Sequence, residues 1–257
     1  MGSLLQNSPF SGQAIDSVSG KVVHIHDFIG TFTISDSDET SWETITISRA
    51  SNTMRTFSFN DVSLTLQEYS EGDCGVGAGC WLSSVAMLSW IASHQDIFEN
   101  KRVLEIGCGV GLGSLGLSAS QAKPSKVTAS DYNVFLKNGY EKNMEVNKHC
   151  LNSIPKFALL NWEDTLNPSY QPDSSIGQYD VIIASDCIYK STMVEFKSTV
   201  LHHLAPNGSL IFMNPQRNGV DQLIYSLGEI GETEVRHVSV TMNGLHSVSL
   251  MFIIFKI

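Results

Sequence analysis

The chain has 257 residues, of which 42% are hydrophobic, so it can bury a core of ordinary size. Its 16 Lys and Arg residues against 26 Asp and Glu residues give a formal net charge of -10, which argues against general attraction to nucleic acid or to an anionic membrane and favours a basic partner. The five cysteines show no C-x-x-C spacing, which argues against a disulfide framework or a zinc site and favours a reducing compartment.

The N-terminal part of the chain is predicted to be a small β structure. The first ten residues, MGSLLQNSPF, lack the basic and apolar regions of a signal peptide, so we expect a cytoplasmic or nuclear protein. We also expect it to be a monomer. From Lys21 to Tyr69 apolar and polar residues mostly alternate, which predicts an antiparallel sheet. We assign residues 1–72 to a β extension with too few apolar positions for its own core. The glycine-rich stretch EGDCGVGAGC, residues 71–80, is expected to be a flexible connection.

Residues 73–257 are predicted to form the main domain, in which a helix opens at Trp81 and strand and helix patterns then alternate. The predicted strands are Arg102–Ile106, Lys126–Ser130, Lys156–Leu160, Tyr179–Ser185 and Ser209–Met213. The predicted helices are Leu112–Ser120, Val134–Asn147, Thr192–Leu204 and Gly219–Ile230. The tail reads as a hairpin that turns at Asn243-Gly244. We therefore expect an α/β fold with a doubly wound, mostly parallel seven-stranded sheet, which binds ligands at the carboxyl ends of its strands.

A glycine loop follows the first of these strands in the pattern E-x-G-x-G-x-G, formed by Glu105, Gly107, Gly109 and Gly111. The dinucleotide fingerprint G-x-G-x-x-G does not fit, because Leu112 stands at its third glycine. Glycine lets the backbone approach a bulky ligand closely, since it has no Cβ. Tight packing between strand and helix is the alternative explanation. Cys108, inside the loop, is read as a small apolar filler.

An acidic residue ends the next predicted strand. Asp131 follows the loop by about 20 residues, the place where a doubly wound fold puts a carboxylate on ribose hydroxyls. An acid at this point can also cap the following helix, and the two roles are compatible. The combination with the glycine loop predicts a ligand that contains a ribose.

These motifs resemble those of class I, seven-β-strand methyltransferases. After the fourth strand the chain reads Asp186-Cys187-Ile188-Tyr189, which is similar to the D-x-x-Y signature of the protein-lysine methyltransferase branch. Trp81 and Trp162, the latter in LNWED, extend the resemblance, which covers roughly residues 79–210. It implies S-adenosylmethionine as the cofactor, a lysine of a partner protein as the methyl acceptor, and no metal.

The resemblance also implies roles for single residues. Asp186 and Tyr189 would hold the acceptor amine, with Asp186 positioning it first and assisting proton removal second. The cofactor would contact a set of residues around the glycine loop: Trp81, Glu105, Gly107, Cys108, Gly109, Gly111, Asp131, Trp162 and Ser185. Buried packing is the alternative for both tryptophans, and a helix cap is the alternative for Asp186.

Other functions remain open at this point. Enzymes that methylate adenine or glutamine carry an N-P-P-Y-like motif after the fourth strand, whereas this chain has SDCIY there and places NPQR, residues 214–217, after the fifth strand. That position argues against base methylation. A small-molecule N-methyltransferase shares the same core, and a non-catalytic binding module could keep the fold alone.

Overall fold

The computed structural model describes residues 13–15, 22–24, 29–36, 40–69, 75–172, 177–188, 192–217, 219–244 and 246–257. Two short strands, β1 (Gln13–Ile15) and β2 (Val22–His24), pair with each other. Eleven further strands form a single mixed sheet in the order β6-β5-β4-β3-β12-β13-β11-β10-β7-β8-β9. Across the described ranges, no helix is long and apolar enough to span a membrane.

In chain order, the eleven strands are β3 (Gly30–Asp36), β4 (Ile45–Ser51), β5 (Met54–Phe59), β6 (Val62–Gln67), β7 (Arg102–Ile106), β8 (Lys126–Asp131), β9 (Lys156–Leu159), β10 (Tyr179–Ser185), β11 (Leu204–Asn214), β12 (Glu232–Met242) and β13 (His246–Lys256). The α-helices are α1 (Leu82–Ser93), α2 (Leu112–Ala119), α3 (Val134–Asn147), α4 (Met193–His203) and α5 (Val220–Gly228). Short 3₁₀ helices cover Gly75–Ala78, Gln95–Phe98, Lys148–Cys150 and Trp162–Leu166.

Five parallel strands, β7 to β11, form one end of the sheet, and helices cover both of its faces there. Successive residues of β7 enter different cores: Val103 packs with α1 and α2, and Leu104 packs with α4 and α5. This two-sided burial explains why β7 and β10 read as nearly continuous apolar runs. The observed bounds of β7, β10 and α3 are the predicted ones, and those of the other predicted elements differ mostly by one or two residues. Strand β11 is longer at its start than expected.

The sheet is wider than the seven strands predicted, and this part of the expectation was wrong. Strand β12 of the C-terminal hairpin is not an edge, because it pairs antiparallel with β3 from Val238↔Asp36 to Met242↔Phe32. Strands β3 to β6 therefore extend the same sheet by four antiparallel strands. The alternating pattern identifies each strand but not its neighbour, since an exposed hairpin edge accepts any strand of suitable register. The hairpin turns as predicted, with positive φ at Asn243 and Gly244.

The far edge of this extension, β6, packs against α3 through two asparagine side chains. Asn147 accepts a hydrogen bond from the Thr65 backbone N–H at 2.8 Å and donates one to the Thr65 carbonyl at 2.8 Å. Asn143 repeats the arrangement with Gln67, at 2.8 and 3.1 Å. Each side-chain amide thus replaces a missing neighbouring strand, and the edge is satisfied without exposing its backbone groups.

A buried ion pair joins the extension to the segment before α1. Arg55 on β5 donates to Glu68 at 2.5 Å, and their side chains are 4% and 12% exposed. The Glu68 carboxylate also accepts from the Cys80 backbone N–H at 2.7 Å, and Tyr69 N donates to the Ala78 carbonyl at 2.9 Å. The glycine-rich stretch, expected to be a flexible connection, is therefore hydrogen-bonded to the extension in its described part.

We predict that Arg55→Ala lowers the free energy of unfolding by about 3–5 kcal/mol, because it removes the guanidinium that compensates the charge of a largely buried carboxylate. Arg102→Ala is the matched control. Its guanidinium pairs with Asp180 at 2.7 Å, but the two side chains are 46% and 30% exposed. We expect that loss to stay below about 1 kcal/mol. Urea unfolding of both variants measures the difference, and equal losses would show that the buried pair has no special role.

Candidate active site

The candidate active site lies where the parallel sheet changes direction. From β7 the chain builds β8 and β9 on one side, and then returns to place β10 and β11 on the other side. Ligands of doubly wound folds bind outside the carboxyl ends of the strands at such a switch point. Here the glycine loop leaves β7 and Asp186 leaves β10, so the two predicted motifs meet at the same edge of the sheet.

The three loop glycines all have positive φ angles, +66° at Gly107, +53° at Gly109 and +97° at Gly111. Side chains rarely adopt this backbone region. A Cβ at Gly109 would lie 2.8 Å from the Gly77 carbonyl oxygen, and one at Gly111 would lie 2.5 Å from the Tyr140 ring. The glycines are thus needed for packing between the loop and its neighbours as well as for the loop's shape.

Cys187 and Trp162 contact the start of the loop. A Cβ at Gly107 would lie 2.9 Å from the Cys187 sulfur and 3.4 Å from the Trp162 ring. Trp162 is half-buried and packs edge-to-face on Phe196. The Cys187 thiol lies 3.3 Å from the carbonyl of Ile106, and burial raises its pKa, so it stays neutral. The segments after β9 and β10 therefore both contact the segment after β7.

Glu105 is buried beneath the loop. Its carboxylate accepts a hydrogen bond from the Ser114 backbone N–H at 2.8 Å and packs against Gly113, at the N-terminal turn of α2. This position suits a carboxylate, because the first N–H groups of a helix have no partners within it. Burial nevertheless raises the pKa of Glu105 to about 7, against the effect of the Ser114 hydrogen bonds. The structure thus connects Glu105 to the base of the loop and the start of α2.

Asp131 connects the loop to the end of β8. One carboxylate oxygen accepts from the Gly109 N–H at 3.1 Å, and the other accepts from the Asn133 N–H at 3.1 Å. Burial raises the pKa of Asp131, and these backbone hydrogen bonds oppose the rise. Asn133 itself caps α3 by accepting from the Phe135 N–H. Asp131 therefore holds the glycine loop as well as shaping the turn into α3.

Trp81 and Ser185 lie at the ends of elements that meet the site. Trp81 is the residue before α1, and its indole N–H donates to the Val76 carbonyl at 2.8 Å, which fixes the 3₁₀ helix that contains Gly77. Ser185 is the last residue of β10, and Cys108 lies buried within the loop, where its thiol stays neutral because burial raises its pKa. Among the described residues, no cluster of three or more His, Cys, Asp or Glu side chains could hold a metal.

Asp186 stands in a turn of left-handed backbone, with φ of +55°. Its side chain is 7% exposed, and its carboxylate forms an ion pair with Arg217 at 2.5 Å. Burial raises the pKa of Asp186, whereas Arg217 and, to a smaller extent, the Ser83 hydroxyl lower it. A non-glycine residue in this region costs energy and is common at functional sites. Tyr189, the other residue of the D-x-x-Y motif, lies outside the described residues.

A sequence profile of a family described as lysine methyltransferase matches residues 58–225, which is more than half of the chain. The chain belongs to the lysine methyltransferase family. The match includes the glycine loop, Asp131, Trp162 and the D-x-x-Y motif.

Individual relatives point in the same direction. The chain is 26% identical over 156 residues to the calmodulin-lysine N-methyltransferase of Arabidopsis thaliana, which covers 59% of this chain and 49% of that protein. It is 27% identical over 162 residues to the protein-lysine N-methyltransferase rrg1 of Schizosaccharomyces pombe, and this match covers 62% of this chain and 52% of that protein. The chain thus spans about half the length of these relatives.

Solved structures support the fold assignment. The 16S rRNA N2 G1207 methyltransferase RsmC of Thermus thermophilus, in complex with S-adenosylmethionine and guanosine, matches with a TM-score of 0.53 at 12% identity, over 85% of this chain and 51% of that one. At this identity the likeness concerns the fold alone. The chain therefore has a methyltransferase α/β fold with a mixed sheet.

Three residues of this family member that the sequence did not single out also organise the site. Asn143 donates to the Val110 carbonyl in the glycine loop at 3.1 Å, in addition to its contacts with β6. Asn214, fully buried at the end of β11, accepts from the Ile188 N–H at 3.2 Å and donates to the Ile188 carbonyl at 3.3 Å. Arg217, three residues after Asn214, forms the ion pair with Asp186. In the sequence, the N-P-Q-R stretch was noted only for its position. The helical spacing of Asn143 and Asn147 was the only signal for Asn143.

A separate cavity of about 460 Å³ lies beside the edge strand β9. Its lining includes Thr128, Lys156, Asn161 and Asp164. None of the predicted site residues lines it, so it is distinct from the crevice between β7 and β10.

We predict that Glu105 gives wild-type stability a pH dependence that Glu105→Gln lacks. Since the folded pKa of about 7 lies above the ordinary glutamic acid value of 4.5, the folded state binds the proton more tightly. The stabilisation from protonated Glu105 is therefore complete at low pH and is lost as the pH rises from 4.5 to about 7. Urea unfolding of both proteins should show a change in their stability difference of about 3 kcal/mol across this window. A constant difference would place the carboxylate in a solvated environment.

Proposed function

We propose that the protein is an S-adenosylmethionine-dependent protein-lysine N-methyltransferase. The observation that carries this proposal is the meeting of two motifs at the switch point of the sheet: Cys187 of the D-x-x-Y motif packs on Gly107 of the glycine loop. A donor held by the loop and an acceptor held at Asp186 would then be neighbours. Membership of the lysine methyltransferase family supports the reaction type.

The residues present fit the proposed cofactor. Backbone with positive φ lets the loop curve around a bulky ligand, and Asp131 keeps acceptor capacity, because a carboxylate has about four acceptor sites and two hydrogen bonds fill only some of them. Asp131 would bind the ribose, Trp162 would flank the adenine, and Gly107, Gly109 and Gly111 would lie along the amino-acid part. Trp81, Cys108 and Ser185 would complete the walls, and Glu105 would support the loop from below. When bound, S-adenosylmethionine supplies a methyl group on a sulfonium sulfur.

Asp186 would receive the acceptor amine. A lysine amine has a pKa of about 10.4 in water, so it arrives protonated and must lose a proton before it can act as a nucleophile. A carboxylate alone raises the pKa of a neighbouring amine, and we therefore assign Asp186 to positioning the amine first. Partial desolvation in the crevice favours the neutral amine, and water can take the proton. Tyr189 would add a hydroxyl contact to the same amine.

The acceptor class follows from the relatives and the charge. The relatives named above are a calmodulin-lysine and a protein-lysine N-methyltransferase. A net charge of -10 suits a protein surface that presents a lysine among other basic groups. We propose that residues 1–72 form an extension that supports the glycine loop and faces the protein substrate, and that the enzyme acts as a cytoplasmic or nuclear monomer.

We expect Asp186→Ala to bind S-adenosylmethionine with nearly wild-type affinity while methyl transfer falls about a hundredfold or more, because an orienting group is lost. Calorimetry measures the affinity for S-adenosylmethionine. The transfer of a labelled methyl group to proteins of a cell extract measures the methyltransferase activity. Asp180→Ala is the control, since Asp180 lies at the opposite end of β10 and pairs with Arg102. Wild-type transfer in Asp186→Ala would remove Asp186 from the mechanism.

Asn143 and Asn147 provide a test of the cofactor loop. Both side chains hold β6, but only Asn143 also bonds to Val110 in the loop. We expect both alanine variants to lower the melting temperature. Only Asn143→Ala should weaken S-adenosylmethionine binding, by about 1–2 kcal/mol, since its loss leaves a buried loop carbonyl without that partner. Calorimetry on the two variants decides the matter, and equal affinities would show that the loop does not depend on Asn143.

A further inference from the structure

The N-P-Q-R segment, residues 214–217, holds the turn that carries Asp186. The backbone N–H of Asp186 donates to the Met213 carbonyl at 2.9 Å, at the end of β11. The Asn214 side chain bonds to both backbone groups of Ile188. Arg217 adds the ion pair with the Asp186 carboxylate. Three kinds of contact thus hold the turn: a backbone hydrogen bond, the hydrogen bonds of the Asn214 side-chain amide, and the ion pair with Arg217.

Arg217 occupies a carboxylate that is itself almost inaccessible. The Asp186 side chain is 7% exposed, whereas the side chain of Arg217 is 28% exposed. An amine that binds Asp186 would therefore have to take over the position of the guanidinium. Both groups are cations with donors only, so they compete for the same acceptor oxygens and repel each other.

We propose that Arg217 is a resident cation on Asp186, which the acceptor lysine must displace before it can be methylated. This inference rests on the proposed function, because it takes Asp186 as the site of the acceptor amine. A protonated amine that takes the place of the guanidinium keeps the buried carboxylate compensated during the exchange, and an unpaired buried carboxylate would be costly. Arg217 is thereby a gating residue and does not itself touch the methyl donor.

The main chain around Arg217 is held in place. The Arg217 carbonyl accepts from the Val220 N–H at 3.1 Å at the start of α5, and Asn214 is anchored in the core. The exchange that we propose therefore involves the arginine side chain, which is partly exposed, and not the main chain.

The test uses a bisubstrate probe, so that the natural acceptor need not be known. In the probe, nitrogen replaces the sulfonium sulfur of S-adenosylmethionine and carries a short alkyl chain that ends in an amine. The control compound ends in a methyl group. Calorimetry at about pH 8.5 favours the ionised carboxylate, while the amine, with a pKa of about 10.4, stays protonated.

We expect Arg217→Gln to bind the amine probe about tenfold more tightly than wild type does, because the competing state is removed, and to bind the control compound equally. Arg217→Lys, which keeps a cation without the planar fork, should show a smaller gain and covers the case that the glutamine variant does not fold. Unchanged or weaker binding of the amine probe in both variants would overturn the gating role.

Asp186→Asn separates this inference from the proposed function. If Asp186 holds the amine, this variant loses the preference for the amine probe over the control compound. A retained preference would show that the amine binds elsewhere, and both the proposed function and the gating role would fail. A lost preference in Asp186→Asn without a gain in Arg217→Gln would leave the function intact and overturn the gating role alone.

Discussion

The structure depends on the close packing of the glycine loop against four neighbours. Gly107 faces Cys187 and Trp162, Gly109 faces the Gly77 carbonyl, and Gly111 faces the Tyr140 ring. A Cβ at any of the three glycines would lie within 3 Å of at least one of these neighbours. The same packing that leaves the backbone bare also fixes the loop against the turn after β10 that carries Asp186.

The N-terminal strands are linked to this loop by hydrogen bonds that pass through α3. They continue the central sheet through β12, and their far edge returns to α3, where Asn143 contacts both β6 and the loop. The buried pair of Arg55 and Glu68 adds a second connection through Cys80. A segment that resembles an appendage in sequence thus contributes polar contacts to the support of the candidate site.

Much of this arrangement could be predicted from the sequence, because it depends on local patterns. The apolar runs gave β7 and β10 their bounds, and glycine spacing located the loop, since periodicity and backbone permissiveness are properties of neighbouring residues. The pairing of β12 with β3, the contacts of Asn143 and the ion pair of Arg217 were missed. Each joins residues far apart in the chain, and a lone Asn or Arg carries no local signal of its partner. Whether the predicted site residues act as assigned stays a prediction.

The chain belongs to the lysine methyltransferase family, and the chemistry of its site is proposed. The chemical nature of the methylated group distinguishes protein-lysine methylation from the alternative functions. The most direct measurement is to incubate the protein with S-adenosylmethionine labelled in its methyl group and a cell extract, to hydrolyse the labelled protein fraction, and to identify the amino acid that carries the label. The account predicts methylated lysine. Label that appears only in small molecules, in nucleic acid or on another amino acid would contradict it.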